Sequence, residues 1–148
     1  AGAVLEVARA AGVEDLLRLP GFVTHAEAVA HQRAASVNLL LTWTVPGVVA
    51  RGVCPGKMYE QMAAGRPVLA LALPGGEAVS LLGGTGGALV ADPFDEDAIA
   101  AALERLARAE AEGDAATAVP ARGPAPERFS RRSVAGELAR LVASVAVQ

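Results

Sequence analysis

One short run of residues carries most of the recognisable chemistry in this chain. Pro55, Gly56, Lys57 and, three positions on, Glu60 stand at the expected start of a helix. Lys57 is the only lysine, among twelve arginines. The first N–H groups of a helix have no internal partner, and the helix dipole favours an anion in front of them. Gly56 has no side chain, so a phosphate can approach its backbone closely. Lys57 adds a compact charge with three donors on a flexible stem. Together these features fit a diphosphate. Glu60 lies nearly one turn beyond Lys57, on an adjacent face. A carboxylate beside a diphosphate needs another partner, and a pair of sugar hydroxyls can donate two hydrogen bonds to it. The spacing therefore reads as a phosphate site followed by a ribose site, a nucleoside diphosphate laid across a helix start. A solvated surface pair of Lys57 and Glu60 is the competing reading of the same spacing. The run is not a Walker A loop, and no G-x-G-x-x-G joins a strand to a helix.

Composition narrows the classes around this site. The net charge of −3 and pI near 5.4 argue against a general nucleic-acid binder. A single cysteine, Cys54, excludes an intrachain disulfide and a cysteine-cluster metal site. It fits a reducing, cytoplasmic setting. No apolar run approaches the ~20 residues of a membrane span, and no signal peptide is visible. Peripheral association of a longer protein with the inner membrane face is compatible with this. The chain starts at alanine rather than methionine and is expected to be a piece of a longer protein. Aromatics make up only 3% of its 148 residues, so the core must be built from Leu, Val and Ala.

The positioning elements alternate between helix and strand. Helices are expected over residues 3–11, from Thr24 to about Ala35, from Pro55 to Ala64, near 77–82, from Asp97 onward, and from about Ser130. Thr24 and Glu27 form a capping box. Pro55 suits a first helical position, where its missing N–H has no partner to lose. Gly65 is a natural stop for that helix. Strands are expected in residues 17–23, 36–42, 67–73 and 88–91. Residues 112–126 hold few large apolar side chains and read as a linker between a domain over 1–111 and a C-terminal helix over 127–148. On that last helix Val134, Leu138, Leu141, Val142 and Val145 share one face, which needs a partner. Apolar strands alternating with helices imply an α/β, Rossmann-like parallel sheet covered on both faces. Ligands in such sheets bind beyond the carboxyl ends of the strands. Three loops are expected to converge there: 21–25, 43–57 and 74–77.

At this point the residues resemble a known family. "PGKMYEQMAAGRPVLAL", residues 55–71, is similar to the donor-site signature of family-four-like glycosyltransferases with the GT-B fold. The flanking stretches agree in order over about residues 12–110, from "LRLPGFVTHAEAVAHQRAASVNLLL" to the acidic-capped helix. The resemblance implies the C-terminal, donor-binding half of a two-domain enzyme, lacking its first strand and helix. It implies a nucleotide-sugar donor, a partner N-terminal acceptor domain, and transfer of the sugar to an acceptor hydroxyl. No metal or further cofactor is implied. By position, Glu60 matches the ribose-binding glutamate. Pro55, Gly56 and Lys57 match the helix start at the diphosphate, and Gly21, Phe22 and Val23 match the turn lining the base. Gly76 is a candidate backbone donor, and Arg51 a candidate source of further positive charge. Many relatives carry a second glutamate at the position of Gly52, so a contact to the transferred sugar is missing or made otherwise. Catalytic residues are not assigned. The resemblance leaves open a non-catalytic nucleotide-binding or interaction module of the same fold, and a GT-B nucleotide-sugar epimerase.

Overall fold

A strand that is apolar on both faces can be buried only between two layers of helix. The segment "VLAL" meets that condition and forms the middle of the sheet. In the computed structural model, which describes residues 2–42, 54–123, 127 and 129–146, three parallel strands lie in the order β1–β2–β3. They are β1 (Asn38–Leu41), β2 (Val68–Leu71) and β3 (Ala88–Ala91). Leu40 pairs with Ala70, and Ala70 with Val90, so the register is continuous across the sheet. The helices are α1 (Gly2–Ala10), α2 (His25–Ala34), α3 (Gly56–Ala63), α4 (Glu77–Thr85), α5 (Glu96–Ala111) and α6 (Arg131–Ala146). This is the expected Rossmann-like α/β architecture.

Side chains alternate across each strand, and the two faces have separate cores. On one face Leu40, Val68 and Ala70 pack against Met58 and Met62 of α3 and Ala78 and Leu82 of α4. On the other, Leu69 packs with Leu106 and Ala109 of α5, helped by Val37, Leu71 and Leu89. The crossover helices α3 and α4 thus share one layer. Full burial of a Leu, Met or Val side chain contributes roughly 1.5–3 kcal/mol, and Leu40, Met58, Leu69, Leu82 and Val68 are all fully buried. At the edge strand β1, Leu39 and Leu41 stay half exposed, because α5 covers only the β2–β3 side.

Local signals account for the helix ends. The capping box at α2 is present: Glu27 N–H donates to Thr24 Oγ1 at 3.3 Å, and Thr24 N–H donates to Glu27 Oε2 at 2.7 Å. Asp95 caps α5 by accepting from Ala98 N–H at 2.9 Å. Gly65 follows the end of α3 at φ +79°, a conformation glycine adopts without strain.

Three expectations are corrected or extended. Residues 17–23 do not form a strand; a short 3₁₀ turn, Glu14–Leu16, leads into extended chain. Pro20 has no N–H for a ladder and Gly21 turns at φ +78°, so pairing cannot propagate through them. Pro55 is the N-cap of α3, not its first helical residue, since its ψ of 133° is extended. The stretch after α5, read from composition as a linker, makes a 3₁₀ turn at Ala115–Ala118 in which Ala115 and Ala118 are buried. Alanines are small enough to pack tightly there without a large apolar side chain.

Replacing Leu40 with alanine should cost about 2–5 kcal/mol, the usual range for a buried leucine. In urea unfolding the midpoint should fall while the slope stays at the parent value. A midpoint near the parent's would show that β1 does not belong to the core.

Candidate functional site

The two crossover connections leave the carboxyl ends of β1 and β2 and re-enter the fold at the N-termini of α3 and α4. That topology alone brings Gly56, Lys57 and Gly76 to one edge of the sheet. Pro55 turns the chain into α3, and its carbonyl accepts from Met58 N–H at 2.9 Å. The N–H groups of Gly56 and Lys57, ahead of that bond, begin the helix without intrahelical acceptors. Among the described residues, nothing lies within 4 Å of where a Cβ on Gly56 would stand. Lys57 is exposed, while its neighbour Met58 is fully buried and anchors the turn.

Glu60 sits one turn further on and is solvent-accessible. Its Oε1 lies 4.0 Å from Nδ1 of His25, the first residue of α2. This approach brings the 21–25 loop to the flank of α3, as the convergence of loops requires. Phe22 projects fully into solvent and Val23 is exposed beside it. Gly21 makes the turn that presents them.

On the other flank, Cys54, Tyr59 and Glu77 gather at the start of α4. The Tyr59 hydroxyl neighbours the Cys54 thiol, and the tyrosine ring meets Phe129 at 5.5 Å between centroids. Burial pushes the Cys54 thiol pKa up, the Glu77 charge adds to this, and the nearby Tyr59 hydroxyl offsets part of it. Cys54 is therefore a partly buried filler against the α3–α4 core rather than an activated nucleophile. Burial also raises the Tyr59 pKa, so its phenol stays protonated at neutral pH. At the α4 entrance Gly76 N–H already donates to Leu73 O at 3.3 Å. The free donors of that turn are those of α4's first residues instead.

Arg51, Gly52 and Trp43 lie outside the described residues. The approach of His25 to Glu60 and that of Glu77 to Cys54 were not legible in the sequence. Both links join residues far apart in sequence and leave no periodic trace. Among the described residues no group of three or more His, Cys, Asp or Glu side chains is arranged to hold a metal ion. Among them, too, no helix is long and apolar enough to cross a membrane.

Residues 2–109 match the family described as Glycosyl transferases group 1. The chain belongs to the group 1 glycosyltransferases. The parallel sheet, with α3 and α4 entering from its carboxyl edge, is consistent with the C-terminal domain of a GT-B enzyme. Neither the curated proteins nor the solved structures compared with this chain gave a significant match. Family membership supports glycosyl transfer and sugar-donor binding in general, and the Gly56–Glu60 segment lies within the matched span.

The raised thiol pKa sets a reactivity. Iodoacetamide at pH 8 should alkylate Cys54 more slowly than free glutathione, since less thiolate is present, and urea unfolding should remove the difference. Labelling of the folded chain at the glutathione rate would contradict this placement of Cys54.

Proposed function

We propose that this chain is the donor-binding part of a glycosyltransferase that moves a sugar from a nucleoside diphosphate sugar to an acceptor hydroxyl. One observation carries the reading. The open N-terminus of α3, with bare Gly56 and exposed Lys57, stands beside a carboxylate, Glu60, that lies 4.0 Å from the loop bearing His25. The diphosphate would lie against the N–H groups of Gly56 and Lys57. The ribose hydroxyls would donate to Glu60, and the base would rest on the 21–23 turn. As the glycosidic bond to the diphosphate breaks, negative charge grows on the leaving group. The N–H groups at the helix start would face that charge and the flexible Lys57 would follow it, and donors aimed at developing charge lower the barrier. The acceptor site belongs to a partner domain, in this reading the N-terminal half of the same protein. Arg51 would add charge near the diphosphate, and Gly52 leaves the sugar without the glutamate found in many relatives.

Calorimetric titration with UDP, GDP, ADP and dTDP, without added metal, tests the proposal. Selective binding of one would support it and identify the base; no binding by any of the four would remove the donor role from this chain. Glu60→Ala should weaken the preferred nucleotide about tenfold to a hundredfold, the equivalent of one charged hydrogen bond. Unchanged affinity would take Glu60 out of the ribose site. Lys57→Ala should weaken the nucleoside diphosphate more than the nucleoside, and equal losses for both would argue against a phosphate contact.

A further inference from the structure

Arg122 is at the opposite end of the sheet from these residues, yet it grips the same helix. Its Nη1 donates to the carbonyl oxygen of Met62, in the last turn of α3, and its Nη2 donates to Arg66 O at 2.7 Å. The final carbonyls of a helix lack internal donors, and that end of the dipole is negative, so a cation is favoured there. Arginine's planar fork can hold two carbonyls in fixed directions at once, which a lysine ammonium does not do.

The grip is part of a strap over residues 119–123. Gly87 N–H donates to Pro120 O at 2.8 Å, and Gly123 N–H donates to Thr85 O at 2.9 Å, tying the strap to the turn between α4 and β3. A Cβ on Gly86 would collide with the Ala121 carbonyl oxygen, and one on Gly87 would stand 2.8 Å from the Arg122 guanidinium. Two consecutive glycines thus leave the space the strap and its arginine occupy. Burial lowers the Arg122 pKa from its ordinary value. The guanidinium is thus partly desolvated where it binds main-chain oxygens. The strap also lies beyond the span that matches the family, which ends at residue 109.

Pro67 and Gly87, beside Arg122, lead into β2 and β3, whereas Gly56 and Lys57 stand beyond the carboxyl end of β1. The eight-residue helix between them is about 12 Å long. Arg122 itself bonds α3 at Met62, whereas the rest of the strap holds the end of α4 at Thr85. We infer that Arg122 is a positioning residue: its grip on Met62 O, in the last turn of α3, and on Arg66 O, in the link from α3 to β2, sets where Gly56, Lys57 and Glu60 stand at the other end. The effect on donor binding rests on the donor-site proposal; the effect on α3 rests on geometry alone.

The test compares Arg122→Ala and Arg122→Lys with Leu106→Ala, a core change on the opposite face that controls for a general loss of stability. Helix position is read in the unliganded chain from the NMR ring-proton resonances of His25, whose Nδ1 is 4.0 Å from Glu60. Arg122→Ala should move them in the same direction as Glu60→Gln, and Leu106→Ala should not. Inorganic pyrophosphate, which needs neither base nor sugar, reads the consequence. Its affinity should fall about threefold to tenfold in Arg122→Ala, a usual range for coupling through a packed element, and less in Arg122→Lys. His25 resonances that move no more than in Leu106→Ala overturn the inference, whatever the affinity does. If the parent chain fails to bind pyrophosphate, the donor proposal fails separately, and the resonances still decide the role of Arg122. Should Arg122→Ala not fold, Arg122→Lys carries the same comparison.

Discussion

The parallel pairing of β1 with β2 is the constraint from which the rest follows. Two strands that run the same way cannot be joined by a tight turn; the chain must return across a face of the sheet. That return is α3. Its start is thereby fixed at the carboxyl edge of the sheet and its end at the opposite edge. The apolar side of α3, Met58 and Met62, closes the core over Leu40 and Val68. The helix is short, so what packs its body also aims its first turn. Repetition of the same connection between β2 and β3 puts α4 in the same layer, with its own N-terminus at the same edge.

Two kinds of interaction meet in this short helix, and they differ in how they depend on solvent. Its buried side is held mainly by apolar contact, which salt does not screen. Its open end offers partial charges and one mobile cation, which are strong only when water is displaced by a ligand. The lone lysine makes sense in this light. Most positive charge in the chain is arginine, and the half-buried Arg122 uses the planar fork to satisfy main-chain oxygens. Lys57 occupies an exposed place where a compact ammonium on a flexible stem can follow a phosphate group.

Much of this was legible in the sequence because it is written locally. The Thr24–Glu27 box, the acidic start of α5, the apolar runs of β1 and β2 and the stop at Gly65 each depend on residues a few positions apart. The Gly56–Lys57–Glu60 spacing is also local, and the structure puts these residues at the sheet edge where they were expected. The strand expected at 17–23 failed for a physical reason: apolar residues flank Pro20 and Gly21, but a ladder needs an N–H from every second residue and a backbone that stays extended. Arg122 was invisible because its partners are main-chain carbonyls, which every residue has. The buried Ala115 and Ala118 were hidden by composition, since small residues that pack closely look the same on paper as small residues in a loose connector.

The strap also bears on where this unit can be divided. Likeness to the family runs out at residue 109, yet hydrogen bonds continue to cross from the chain beyond it to α3 and to the turn before β3. A fusion partner or affinity tag joined just after α5 would displace Ala118, Val119 and Arg122 from places that nothing else in the described fold fills. Joined after residue 123, it would leave those contacts intact. Phe129, further on, still packs against Tyr59 and the core under α3, so packing continues past the last of these main-chain bonds.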